Sequence, residues 1–315
     1  MDTTASVPGP TPRLITLGET MVMITPADAR PLATADALRL HVGGAESNVA
    51  CHAAVLGVAA AWVGAVGGDV LGERVRGDIR ARGVDVRWVR TDPDTPTGVY
   101  FKDPGGGVLY YRRGSAASQL GPESVAEVPL EDAAVVHVSG ITPALSRTCA
   151  ALVDAVVGRV AASSALLSFD VNHRAALWGT GEAAPALLAL ARRADLVFVG
   201  LDEAHTVWGC ETPEDVRALL PEPATLVVKD GDVGATEFAR AEAAGAEAVT
   251  FVPAIPTEVV EPVGAGDAFA AGYLAALIGG ATAHARLLAG HERARLVLRS
   301  TSDLGDDSDP GKGLP

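Results

Sequence analysis

Short apolar runs and longer alanine-rich stretches alternate along most of the chain. "LITLGE" (14–19), "AAWVGAVG" (60–67), "AVVHVSG" (134–140), "LLSFDVN" (166–172), "LVFVG" (196–200) and "TLVVKDG" (225–231) read as strands, and the alanine-rich segments between them read as amphipathic helices. That rhythm predicts an α/β fold with a mostly parallel central sheet flanked by helices. Two regions break it, near 20–42 and 95–113. There, residues such as "GVYFKD" and "VLYYRRG" alternate as in strands with one exposed face, which predicts a small β-sheet lid projecting from the main domain. No long linker and no internal repeat divides the chain.

The ends differ from the middle. Residues 1–12, "MDTTASVPGPTP", are polar and proline-rich, lack the basic start and apolar run of a signal peptide, and read as a flexible tail. Residues 301–315 read as a second flexible tail, leaving one domain over 13–300. The longest apolar region, around "CAALVDAVVGRVAASSALLSF", is interrupted by Asp154 and Arg159 and does not read as a membrane span. With 315 residues, 48% of them hydrophobic and 4% aromatic, the chain can bury a large core rich in alanine and valine. A formal net charge of −14 argues against nucleic acid or an anionic membrane as partner. Any phosphate ligand must then be held by local dipoles, a metal ion and a few concentrated cations. Cys51, Cys149 and Cys210 form no Cys-x-x-Cys pair, which favours a reducing cytoplasm.

In a sheet of this kind ligands sit beyond the carboxyl ends of the strands. Unusual clusters fall there: Gly43-Gly44-Ala45-Glu46 with Asn48, Asn172 and Arg174 after "LLSFDV", Lys229 to Gly231 after "TLVV", and Gly264 to Asp267. The last belongs to "EPVGAGDAFAAGYLAAL" (261–277). It is no dinucleotide fingerprint, because Phe269 stands where a third glycine or an alanine is needed, and the chain holds no Walker A loop. Gly264, Ala265 and Gly266 instead allow a sharp turn that offers unpaired amides at the first turn of a helix, an anion hole favoured by the helix dipole. A glycine turn with Asp267 merely capping its helix is the competing reading of the segment.

Taken together these segments resemble the PfkB/ribokinase-like carbohydrate kinases, from about Leu14 to about Leu298. "PVGAGDAFAAGYL" is similar to that family's second signature; "VGGAESNVA" with "VGAVGGDVLGERV" resembles its amino-terminal one. "TGVYF", "YYRRGSAAS", "SGITPALS" and "DVNHRAALW" are closest to the 2-keto-3-deoxygluconate kinase branch, although the last pattern also resembles fructokinases. The resemblance implies a ribokinase-like fold and ATP-dependent transfer of a phosphoryl group to a sugar. Gly264, Ala265 and Gly266 would hold the transferring phosphoryl, and Asp267 would orient the acceptor hydroxyl and take its proton late, kept ionised by the helix dipole. Gly43, Gly44, Asn48, Tyr100, Tyr110, Arg112 and Arg174 are the carried-over sugar contacts. Lys229, Asp230, Gly231, Gly234 and Ala235 resemble the loop for nucleotide phosphate and ribose.

Each segment also has a plainer reading. "GGAESN" is a turn before a helix, "VLYYRRGSA" an edge strand guarded by Arg112 and Arg113, the Lys229 loop a simple hairpin, and Arg112 and Arg174 surface ion-pair residues. The chain departs from the family twice. Glu261 stands where the family has an aspartate in its monovalent-cation loop, and Gly200-Leu201-Asp202-Glu203 replaces an Asn-x-x-Glu motif, keeping only Glu203 of that magnesium-linked pair. The histidines show no metal-ligand spacing, so Mg2+ is expected to arrive with ATP, with a monovalent cation as a further expectation. The expected activity is phosphorylation of a small sugar acid, 2-keto-3-deoxygluconate at its 6-hydroxyl, by a cytoplasmic enzyme, with a homo-oligomer as a further expectation. A fructokinase-like enzyme and a non-catalytic sugar or nucleotide sensor are the alternatives.

Overall fold

A computed structural model describes residues 11–28, 30–240, 247–300 and 302–304. In chain order its strands are β1 (Leu14–Leu17), β2 (Met21–Pro26), β3 (Leu38–Gly43), β4 (Ala60–Gly67), β5 (Val89–Asp92), β6 (Val99–Asp103) and β7 (Gly107–Tyr111). They continue with β8 (Val135–Ser139), β9 (Leu166–Asp170), β10 (Leu196–Gly200), β11 (Thr225–Asp230), β12 (Gly234–Arg240) and β13 (Glu247–Pro253). The helices are α1 (Ala45–Val55), α2 (Val70–Ala81), α3 (Thr142–Leu145), α4 (Arg147–Ala161) and α5 (Ala183–Ala191), then α6 (Leu201–Trp208), α7 (Pro213–Leu219), α8 (Ala265–Ile278) and α9 (Ala283–Leu298).

All six expected strands form, most of them a residue or two shorter than the apolar run. They join a nine-stranded sheet ordered β13-β12-β11-β10-β9-β8-β1-β4-β5, parallel from β5 to β11, with β12 and β13 added antiparallel. Side chains leave the strands alternately. Ile15, Leu17 and Val63 enter one core with α4 to α7, whereas Leu14, Trp62 and Val66 enter the other with α1, α2, α8 and α9. Helix α4 shows why burial rather than propensity makes these helices. Its inward stripe, Cys149, Leu152, Val153, Val156, Val157 and Val160, is fully covered, and Ser146 caps its start by accepting from Cys149 N at 3.1 Å. Burial of each such aliphatic side chain stabilises by about 1.5–3 kcal/mol, against a helix-propensity deficit of at most about 0.7 kcal/mol for valine.

The two irregular regions form the separate sheet expected of them, ordered β3-β2-β6-β7. One face turns Met21, Met23 and Tyr100 inward; the other leaves Leu38, Leu40, Leu109 and Tyr111 exposed. Gly18-Glu19-Thr20 leads directly from β1 in the main sheet into β2 of the lid. The expected carboxyl-terminal tail needs a correction. Asp303 and Leu304 are buried, Leu304 in the core beside α1 and α8, so the packed domain continues past residue 300. Residues 1–10 and 305–315 of the expected tails lie outside the described residues.

Candidate active site

The carboxyl ends of the strands and the inner face of the lid enclose a cleft of about 1160 Å³. Its floor is the start of α8. Gly264 adopts φ +88°, a left-handed conformation that glycine tolerates, and no side chain caps the helix. Ala265 N donates to the Pro262 carbonyl at 3.3 Å and Ala268 N to the Gly264 carbonyl at 3.0 Å, which leaves the Gly266 and Asp267 amides as the open donors of the expected anion hole. Asp267, in this first turn, does not cap the helix. Its carboxylate is taken by two side-chain amides from distant elements: Asn48 Nδ2 donates to Oδ2 at 2.9 Å and Asn172 Nδ2 donates to Oδ1 at 3.3 Å. That contact replaces the capping alternative with a site residue held by its neighbours.

Burial pushes the Asp267 carboxyl up to about 7, against the lowering effect of the Asn48 hydrogen bond and Arg174; the charges of Asp170 and Asp303 add to the rise. The expectation of a carboxylate kept ionised by the helix dipole is thus corrected. Removal from water outweighs the dipole, and the group is poised to gain or lose a proton near neutral pH.

Asn48 owes its position to α1, whose N-cap is Gly44. A Cβ on Gly44 would come within 2.2 Å of the Glu19 carbonyl oxygen, so only glycine lets the β3–α1 turn lie against the lid hinge. Asn172 has φ +37°, the one positive value outside glycine among the described residues, and its Oδ1 is buried without a protein partner. The strained backbone aims an amide between β9 and Asp267.

Beyond β11 the expected nucleotide loop is a hairpin and a cleft wall at once. Lys229, Gly231 and Gly234 line the cleft; Asp230 does not, and Ala235 is buried in the core. Lys229 Nζ pairs with Asp170 Oδ2 at 3.0 Å. Burial alone would weaken its hold on the proton, but the charges of Asp170, Glu203 and Asp267 raise it above the ordinary lysine value, so it stays a cation. Glu203 closes this group. Its Oε1 accepts from His173 N and its Oε2 from Gly200 N, both at 2.9 Å, bracing the β9 loop against α6. Among the described residues no three carboxylate, histidine or cysteine side chains form a ready metal cage. Asp170 and Glu203 nevertheless suit Mg2+, which commonly takes one or two carboxylates together with substrate phosphates.

The lid supplies Tyr100, Tyr110 and Arg112. The tyrosine rings stack at 5.7 Å and the Arg112 guanidinium lies 4.4 Å from the centre of the Tyr110 ring. Arg112 is also paired with Glu19 at 2.7 Å, both side chains nearly covered, and burial holds Glu19 above the usual carboxylate range despite that pairing. Arg174 is held differently. Its side chain is 43% exposed, its nearest carboxylate is Glu203 at 3.9 Å, and it donates to the His173 carbonyl at 3.0 Å. It is the cleft cation with the loosest partner among those carried over from the sequence.

Sequence reasoning located Asn172 at a strand end without giving it a role, and passed over Asp170, Glu19, Lys102 and Asp303; all five line the cleft. Glu19 and Asp170 end or follow core strands and could have been found by the strand-end rule. Asp303 carried no such signal. It receives Tyr100 OH at 3.1 Å and Lys102 Nζ at 2.7 Å, tying the lid to the carboxyl-terminal segment.

The model of the pfkB family of carbohydrate kinases matches residues 11–308. The chain is 32% identical to 2-dehydro-3-deoxygalactonokinase of Haloferax volcanii, over 93% of either chain. It is 34% identical to 2-dehydro-3-deoxygluconokinase of Thermoproteus tenax, covering 84% of this chain and 81% of that one. A crystal structure of a ribokinase II from E. coli in complex with ATP and Mg2+ superposes with a TM-score of 0.84 at 25% identity, covering 93% of this chain and 94% of the other. A family match across nearly the whole chain, together with relatives 32% and 34% identical over most of their length, places the chain in the pfkB family of carbohydrate kinases.

Proposed function

We propose that this carbohydrate kinase transfers the γ-phosphoryl group of ATP to the 6-hydroxyl of 2-keto-3-deoxygluconate. The observation that carries the reading is Asp267, held by Asn48 and Asn172 at the edge of the α8 anion hole. The acceptor oxygen bonds to the γ-phosphorus as the bond from that phosphorus to the β,γ-bridging oxygen breaks, and ADP leaves. The hydroxyl proton passes to Asp267, whose proton affinity near neutrality suits a group that must accept it late and release it after turnover. The Gly266 and Asp267 amides meet the charge on the phosphoryl oxygens, and Lys229 adds a fixed cation. Asp170 and Glu203 would hold a Mg2+ ion brought in with ATP, and the ion would neutralise charge on the phosphates.

Support for a sugar acid comes from Arg174. A planar guanidinium suits a carboxylate, and this one is not committed to a close ion pair. Relatives named for 2-dehydro-3-deoxy sugar acids point the same way. Three free, buried cysteines fit a reducing, cytoplasmic setting.

The test is Mg2+-dependent ADP release across a panel of 2-keto-3-deoxygluconate, its C4 epimer, fructose and ribose. Preference for either keto acid supports the reading, preference for fructose replaces it with a fructokinase, and no turnover with any sugar turns the protein into a sensor.

A further inference from the structure

Two carboxylates flank the turn that leads into the anion hole. Glu261 lies before it, its Oε1 accepting from Val263 N at 3.1 Å. Asp303 lies against its other side, where a Cβ on Gly264 would come within 3.0 Å of the Asp303 Cα, and the Asp303 carbonyl is tied to His52 Nε2 at 3.2 Å. Negative charge at this place opposes the binding of a triphosphate and of an anionic sugar. The structure answers it with Lys102 of lid strand β6. Its Nζ stands 2.7 Å from Asp303 Oδ1 and 3.9 Å from Glu261 Oε2, and its side chain is only 10% exposed.

The same arrangement tests the monovalent cation expected of the Glu261 loop. A K+ ion drawn to both carboxylates would have to share their near side with an ammonium, and two unit positive charges a few ångströms apart repel strongly where burial limits screening. The donor set does not fit the ion while Lys102 is in place.

We propose that the Lys102 ammonium is the built-in cation of this turn: it neutralises Glu261 and Asp303 in place of a free monovalent ion, so the enzyme works without K+ or Na+. Removing the ammonium opens a site that K+ or NH4+ can fill. Because Lys102 is on the lid and Glu261 precedes the anion hole, the cation also couples lid position to the phosphate site, which a diffusing ion would not do. The inference rests on the proposed function only in taking the turn to bind ATP phosphate.

The experiment compares wild type, Lys102→Met and Lys102→Arg in KCl, NH4Cl and tetramethylammonium chloride at equal ionic strength. Two quantities are read: the thermal midpoint of the free protein, and KM for ATP with the best sugar of the panel. Wild type and Lys102→Arg are expected to behave alike in all three salts. Lys102→Met is expected to lose thermal stability and raise KM for ATP by about tenfold in tetramethylammonium, the equivalent of about 1.4 kcal/mol, and to recover both in K+ or NH4+. Should Lys102→Met fail to fold, Lys102→Gln takes its place. A wild type that needs K+ for turnover, or an uncharged variant whose midpoint and KM respond to K+ no more than wild type does, overturns the proposal. The midpoint needs no turnover, so a chain inactive on every sugar would sink the functional reading and still decide this one.

Discussion

Replacing Asp267 with asparagine should damage catalysis and stabilise the fold, and the second effect should follow a particular pH course. The carboxyl titrates at about 7 in the folded protein, against an ordinary value of 3.8. Below pH 3.8 it is protonated in both states, and burial costs little. Between 3.8 and 7 the unfolded chain releases the proton while the folded protein keeps it, so stability falls as pH rises, by about 1.4 kcal/mol per pH unit. Above 7 both states are ionised and the loss levels off at about 4 kcal/mol. Asparagine escapes that loss but introduces another. Facing two amide donors, Asn48 and Asn172, it can accept from one and must set donor against donor at the other, which costs about 1–3 kcal/mol at any pH. The variant should therefore be no more stable than wild type near pH 5, gain about 2 kcal/mol relative to it between pH 5 and pH 7, and gain little more above. Urea midpoints of both proteins at pH 5, 6, 7 and 8 measure this. A difference that stays flat across the series, or that shrinks towards pH 8, would show Asp267 ionised throughout and refute the reasoning. Turnover at pH 8 should fall by roughly 10²–10⁴ in the same variant, as expected for loss of a positioned acid–base group.

Arg174→Ala should lower kcat/KM for the keto acid by about 1.5–3 kcal/mol and leave fructose little affected, so the ratio of the two substrates is the quantity to measure; an unchanged ratio removes Arg174 from acid recognition. Lys229→Met strands the buried Asp170 carboxylate and should cost about 3–5 kcal/mol of stability, part of which Asp170→Asn in the same chain restores; additive losses in the double variant would refute their coupling. Hydrogen exchange in β2, β3, β6 and β7 should slow when sugar and a nonhydrolysable ATP analogue bind together, because lid closure excludes water that would otherwise accept the phosphoryl group; unchanged protection in all four strands would exclude a closing lid.

Much of the architecture was legible because it is locally encoded. Strands such as β4 and β10 are uninterrupted apolar runs buried on both faces, and lid strand β6 carries the alternation of a sheet with one open face. Strands β12 and β13 were not, and their residues show why. β13 reads "EAVTFVP", and Val249 and Phe251 stay exposed on an edge strand, so neither burial nor a charged face marks it as part of the sheet. In the site, strand ends located Asn48, Asn172, Arg174 and Lys229 without any contact information. Asp303 and Lys102 lie 201 residues apart and meet only through the tertiary fold. Nothing in the sequence around either one demands the other.

Asp267 shows a different limit, one of magnitude rather than of pattern. From the sequence, the nearest visible influence on this carboxyl is the start of its own helix, and a helix dipole favours a nearby anion by about 0.3–1 kcal/mol. That is less than one pKa unit. The rise from 3.8 to about 7 amounts to about 4 kcal/mol in the opposite direction, and its leading cause is burial, which outweighs the lowering effect of the Asn48 hydrogen bond. A local feature gave the right residue and the wrong charge state, because the larger energy comes from burial, which the tertiary fold imposes and no single segment shows. The same comparison explains why such a group is useful. A carboxylate fully stabilised by its own helix would be a weak proton acceptor, whereas one raised by burial can take a hydroxyl proton as the phosphoryl group moves and give it up to neutral solvent when the cleft opens.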